Sequence, residues 1–172
     1  NYDESADFTQ FTTYYLPDTL LIDSSASDEE KEHFQEYYET VIDQIVENMS
    51  ERNFVRVDSS ANPDMGMGIS IISQTNYIYS YNYWYYYPPY WGWPGYGYYY
   101  PWATYLGSYE EGALIIDISD LRNIDHSAQQ INALWAGMIG GVLTNNSGLL
   151  DTRLYGYIDQ AFEQSPYLYT NP

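Results

Sequence analysis

The sequence predicts an α+β domain: a two-layer antiparallel sheet covered by one long helix and a C-terminal helix, with a Tyr/Trp-rich hairpin inserted into it. Three observations carry this prediction. A long stretch near residue 40 repeats its apolar residues at helical spacing, several short runs rich in β-branched and aromatic residues are bounded by Pro, Gly and Asn, and a second helical pattern closes the chain. With 172 residues the whole chain, 1–172, is one domain, long enough to bury a core without staples, and the absence of cysteine leaves no disulfide to serve as one.

Taken in order, Phe8 to Leu16 reads as a strand stopped by Pro17, and Ser24 to Ser27 as a short linker. Ser27 and Glu30 have the spacing of a capping box, and Asp28, Glu29 and Glu30 place negative charge at the positive end of a helix dipole. Behind them Phe34, Tyr38, Val41, Ile45 and Met49, flanked by Ile42 and Val46, define one amphipathic helix over roughly 28–51. A short strand follows at Phe54–Val57, a loop at Ser59–Asp64 and a strand within Met67–Thr75. Ala113–Ile118 alternates Leu114, Ile116 and Ile118 on one side. Leu121–Ser127, with Asn123 and Asp125, reads as the turn that lets Ile131–Leu143 return antiparallel, its glycines fitting a bulged strand. Thr144–Gly148 is a loop, and Leu150–Gln164 a helix through Leu154, Ile158 and Phe162, stopped by Ser165-Pro166.

The insertion spans residues 76–109. Positions 77–100 hold twelve tyrosines and three tryptophans. Tyr77, Tyr79, Tyr81, Tyr83 and Tyr85 alternate, so a single strand would line them on one face, and Pro88-Pro89 would end it. Trp91 to Gly97 then forms a Gly/Pro/Trp tip, and Tyr98–Tyr109 pairs back. One role for such a ladder is packing, since cross-strand aromatic pairs stabilise sheets. Another is recognition: rigid rings with polar tips on an uncharged surface suit protein contact or sugar stacking, and the candidate contact residues are Tyr79, Tyr81, Tyr83, Trp84, Trp91 and Trp93. Self-association through the edge is a third, opposed by four prolines and by net charge.

That charge is -19, from 24 acidic and five basic residues, and it is unevenly spread. Sixteen acids fall in 1–64, none in 65–109 and eight in 110–172. Binding to DNA, RNA or an anionic leaflet needs clustered Lys and Arg, so neither nucleic acid nor a lipid surface is an expected partner. The neutral middle is broken by Pro88, Pro89, Pro94 and Pro101, and the apolar run Ile131–Leu143 is too short, so no membrane-spanning helix is expected.

Catalytic and metal signatures are weak. His33 and His126 are isolated and read as surface residues, no nucleophile elbow is present, and Gly66-Met-Gly68 lacks the rest of a dinucleotide loop. The acids suit solubility better than a glycosidase pair held across a cleft. Asp117, Asp120, Asn123 and Asp125 could offer oxygen ligands to calcium but lack EF-hand spacing, and read as turn formers. Asn48-Met-Ser50 and Asn145-Asn-Ser147 match the glycosylation triplet. No cofactor, no metal site and no catalytic residue is expected.

Several stretches together resemble a known family. Asp3–Phe8 with Phe11–Leu16, the helix with Ile42, Ile45 and Met49 leading into Asn53–Val57, the strand Gly112–Ile118, Ala133–Gly137, and Ile158–Phe162 with Ser165-Pro166 are similar, in order and spacing, to the bacterial lipoproteins known as domain of unknown function 4136. The resemblance covers nearly the whole chain. It implies an exported protein held to a membrane by a lipid on an N-terminal cysteine, which would lie upstream of Asn1, and it implies no activity. The aromatic insertion before the Gly112 strand resembles Bacteroides-like members, and the acidity exceeds what the family leads one to expect. The resulting expectation is a non-enzymatic cell-envelope domain, at the outer membrane facing periplasm or cell surface, that binds or scaffolds a protein or glycan partner through the aromatic hairpin. The alternative is stacking on carbohydrate or peptidoglycan fragments, and a third is a hydrolase built on an acid pair.

Overall fold

The computed structural model describes residues 2–18, 21–22, 28–72, 77–81, 84–86, 103–108, 113–125, 130–140 and 150–171. After a 3-10 turn at Phe8–Gln10 come β1 (Thr13–Tyr15), β2 (Leu21–Ile22), α1 (Asp28–Glu51), β3 (Val55–Arg56) and a second 3-10 turn at Ser59–Ala61. The remainder runs β4 (Met65–Ile72), β5 (Tyr77–Tyr81), β6 (Trp84–Tyr86), β7 (Ala103–Ser108), β8 (Ala113–Asp125), β9 (Gln130–Gly140) and α2 (Leu150–Glu163). The main sheet is ordered β3-β1-β4-β8-β9-β6, with β2 also on β4, while β5 and β7 pair as a separate ribbon.

The α+β class is as the sequence predicts, with both helices and the β8–β9 hairpin in their expected places. The sheet is mixed rather than antiparallel throughout. From β4 through β8 and β9 to β6 the pairs are antiparallel, whereas β1 lies parallel to both β3 and β4, and β2 parallel to β4. The cause is α1, which intervenes between β1 and β3 and carries the chain back to start β3 from the same end, as a crossover must. Residues 121–125, expected as a turn, extend β8 instead, with Asp125 opposite Gln130.

Helix α1 ends at a left-handed asparagine. Asn53 has φ 66, and Phe54 N–H reaches back to the Met49 carbonyl at 3.0 Å, closing the last turn and releasing the chain into β3. The start of β1 is fixed by Asp64. Its Oδ2 accepts from the Thr12 and Thr13 amides at 2.8 and 3.0 Å and from their hydroxyls at 3.0 and 3.2 Å. Burial works against ionisation here, but these bonds outweigh it and hold the carboxyl below its ordinary pKa. The proposed capping serine, Ser27, lies outside the described residues.

Both helices pack on one face of the sheet. Tyr38, Val41, Ile45 and Met49 from α1 and Leu154, Ile158 and Phe162 from α2 share one core with Met65, Met67, Ile69, Leu114, Ile116, Ile118 and Trp135. Asn48 and Gln44 of α1 both donate to Asp159 Oδ1 of α2, at 2.7 and 2.6 Å, which pins the two helices side by side. Under α2, Trp135 is buried, its ring 5.3 Å from that of Phe162, and its Nε1 donates to Ser165 Oγ at 2.8 Å.

Gly137 makes room for that indole. A Cβ built on it would lie 2.6 Å from Trp135 Cη2 and 3.1 Å from Cζ2, closer than carbon atoms tolerate, and the ring is wedged and cannot yield cheaply. Gly137→Ala should therefore lower unfolding free energy by about 1–3 kcal/mol, read as a lower urea midpoint at unchanged slope. An unchanged midpoint would show that the indole can shift.

Candidate functional site

The face of the sheet away from the helices carries the site. In β8 the side chains alternate, so Ile116 and Ile118 enter the helix-side core while Asp117 and Ser119 point to the other side. A bulge in β9 sets what surrounds them. Ile118 faces Trp135 and Ser119 faces Ala133, leaving Leu134 as the extra residue, so Ala133 and Ile131 turn to the helix-free face. They form a second, small apolar cluster there with Tyr15, Leu121 and Ile124, in which Ile131 is 0% exposed.

Asp117 stands between Gly68 of β4 and Ala136 of β9, and Ser119 between Gly66 and Ala133. The four flanking positions therefore carry at most a methyl group, with the larger apolar side chains of the small cluster gathered around Ile131. Gly66-Met-Gly68, whose glycines lack a dinucleotide loop's context, supplies two of these positions. Ser119 is 1% exposed, and its Oγ makes no hydrogen bond among the described residues. Asp117 is half-buried, and its carboxyl makes no hydrogen bond or ion pair among them. Loss of water raises its pKa from the ordinary 3.8 to about 7.

The other acids of the suspected calcium cluster do not join it. Asp120 lies opposite Met65, on the helix side, where it accepts from the Arg122 amide and from Asn123 Nδ2, both at 2.8 Å. Asp125 is at the far end of β8. No group of three or more metal-ligating residues occurs among the described residues.

The six aromatic residues singled out from the sequence are distributed as follows. Tyr79 and Tyr81 are in β5, opposite Tyr105 and Ala103 of β7, and Trp84 is in β6, opposite Asn132 of β9. The expected single strand from Tyr77 to Tyr85 is thus two strands in two different sheets. The physical reason is that an isolated two-stranded ribbon is marginal in water, whereas β6 on β9 extends a sheet of high strand number and satisfies the open edge of β9. Tyr83, Trp91 and Trp93 lie outside the described residues, as do the tip of the hairpin, His126 and Asn145. Sequence reasoning passed over Ser119 altogether and grouped Asp117 with the wrong neighbours. The available signal was an acid at an odd position in a strand whose even positions are Leu114, Ile116 and Ile118.

Asp117 makes stability depend on pH with a defined sign. The native carboxyl holds its proton to about pH 7 and the unfolded one releases it near 3.8, so between those values the native state binds more protons and stability falls as pH rises. The loss is on the order of 4 kcal/mol at most and levels off above pH 7. Asp117→Asn should flatten this slope and leave the variant more stable than the parent at about pH 8, measured by urea unfolding at stepped pH. A variant that keeps the parent's slope would assign the dependence to other groups.

Comparison with known proteins places this architecture. The sequence matches the family described as Domain of unknown function (DUF4136) over residues 1–167. Among curated proteins, none matches the chain. The crystal structure of a DUF4136 family protein from Bacteroides thetaiotaomicron is similar over 99% of this chain and 96% of that one, at 25% identity and a TM-score of 0.70. A PDZ domain protein from Parabacteroides distasonis aligns with 97% of this chain but 34% of its own, at 15% identity and a TM-score of 0.47. With the family match spanning both helices and every strand of the main sheet, the chain belongs to the family described as Domain of unknown function (DUF4136).

Proposed function

We propose that this protein is a non-catalytic binding domain of the cell envelope whose recognition element is its uncharged aromatic segment. The observation that carries this reading is the way the segment joins the fold. Residues 65–109 hold no Asp, Glu, Lys, Arg or His, and within them β6 is hydrogen-bonded to β9 of the main sheet while β5 and β7 pair with each other. Trp84–Tyr86 are thereby held to the main sheet, which lowers the entropy that these residues lose when they close on a partner. Rings with polar tips and no neighbouring charge suit the faces of sugar rings, which makes the glycans and peptidoglycan fragments of the envelope the first partners to test.

Three of the described carboxylates support the non-catalytic reading through the work they already do. Asp64 fixes β1, Asp120 binds within its own strand, and Asp159 joins the helices. Asp117 has no second acid on its face among the described residues of β4, β8 and β9 close to it, as an acid pair would require. An envelope location follows the lipoprotein character that the family resemblance implies, with a lipid anchor rather than a helix as its tie to the membrane. No described helix is long and apolar enough to cross one.

Titration with soluble peptidoglycan fragments should shift the tryptophan emission. Replacing Trp91 and Trp93 together by Ala should weaken retention on isolated peptidoglycan at least tenfold while leaving the unfolding midpoint unchanged. A flat emission across the fragments, with retention equal in parent and variant, would overturn the proposal.

A further inference from the structure

Basic residues are few, and those with described contacts are committed away from Asp117. There are five. Lys31 belongs to α1 and Arg153 to α2, the two helices that pack on the opposite side of the sheet. Arg52 donates to the Asn48 carbonyl and lies 5.1 Å over the Phe162 ring. Arg56 donates to the Leu16 carbonyl and to Asp18. Arg122 donates to the Gln10 carbonyl and lies 3.8 Å over the Phe11 ring. The strands that flank Asp117 add no charge, since neither β4 nor β9 contains a charged residue, and Tyr15 is the titratable side chain that the small apolar cluster brings to this face. Asp120 is turned to the helix side and Asp125 is at the strand's end.

A carboxyl drawn partly out of water is ordinarily compensated by a cation or by hydrogen bonds. Asp117 has neither among the described residues. Two residues away on the same face, Ser119 buries a hydroxyl that also lacks a partner. The cross-strand neighbours of both are glycines and alanines, none with a side chain larger than a methyl group. Two adjacent acceptors, one of them anionic, match a group that presents several N–H donors and one positive charge.

We propose that Asp117 and Ser119 form a receiving site for a primary ammonium group carried by a ligand, such as the free amine of an amino sugar. The ammonium donates to the Asp117 carboxylate and to Ser119 Oγ, and supplies the counter-charge that the described residues do not. A net charge of -19 favours the approach of such a cation. The raised pKa of Asp117 agrees with this, because a carboxyl held near neutrality at rest gains most when a cation arrives. The inference rests on the reading of the protein as a ligand-binding domain and names the charged group that its ligand carries.

Glucosamine and N-acetylglucosamine share a ring and differ in whether the amine is free, which makes them the probes. With the side-chain carboxyl carbon of Asp117 observed by NMR, saturating glucosamine should lower the titration midpoint of this group by about one unit or more, equivalent to at least tenfold tighter binding to the ionised form. N-acetylglucosamine should leave the midpoint in place. Ser119→Ala should weaken glucosamine binding several-fold, and Asp117→Asn should abolish its preference over the acetylated sugar. Equal midpoints with the two sugars, or a preference that survives Asp117→Asn, would overturn the site. If the two sugars change the tryptophan emission equally while the Asp117 midpoint stays fixed, the ammonium site falls and the aromatic binding function stands; if neither sugar nor peptidoglycan fragments change emission or midpoint, both fall.

Discussion

Trp135 is the point on which the architecture turns. Its indole is wedged beneath α2 against Phe162, seated on the bare backbone of Gly137, and its Nε1–H is satisfied by Ser165 just past the helix end. Ser165 passes the bond on to the Ala161 carbonyl, so one buried polar chain ties the sheet to the last turn of the helix. Immediately before the tryptophan, the Leu134 carbonyl accepts from Asp3 N–H, and Tyr2 stacks on Tyr167 at 3.7 Å between ring centres. Both ends of the chain are therefore fastened beside the same residue, and a large ring with one polar atom can hold them only if that atom is paired.

The bulge at Leu134 lies directly beside the same residue. A regular β9 would place Ile131 and Ala133 on the face of Trp135, under the helices. The extra residue reverses the alternation, so that Trp135, Gly137 and Ile139 serve the helix-side core and Ile131 and Ala133 serve the other face. One inserted residue thus converts a sheet with a single apolar face into one with two unequal faces. The larger holds the stability of the domain. The smaller has only a few apolar residues around Ile131, and in its middle a carboxyl and a hydroxyl replace what a pure packing surface would fill with Val or Ile.

How much of this was legible in the sequence depends on which force sets each element. Helix α1 was, because Tyr38, Val41, Ile45 and Met49 recur with a period that only a helix satisfies, and the observed bounds Asp28–Glu51 match that pattern. The β8–β9 pair was legible for the same reason, from Leu114, Ile116 and Ile118 and from a glycine-bearing apolar run that could return. Parallel pairing of β1 was not, since nothing local in three residues reports on which neighbour they join. Nor was the division of the aromatic segment between two sheets: alternation of Tyr77 to Tyr85 fixes which residues share a face, but the choice of partner for Trp84 is made by the open edge of β9, a property of the assembled sheet. Asp117 was misread because spacing along the chain grouped it with Asp120 and Asp125, while alternation along a strand puts Asp117 and Asp120 on opposite faces.

The distribution of charge acquires a different meaning once the faces are known. From the sequence it is a contrast between acidic flanks and a neutral middle. In the fold, the arginines that carry described contacts are bound to helix-side rings, carbonyls and carboxylates, where each does structural work. The helix-free face receives none of them. A fold that needed Asp117 only as a filler would be more stable with a neutral residue there, because an unpaired carboxyl in a desolvated site opposes its own ionisation and contributes no bond in return. Retaining an acid between a glycine and an alanine, beside an unpaired hydroxyl, is a cost to stability with no compensation inside the described chain. Uncompensated polar groups of this kind belong to places where compensation comes from outside.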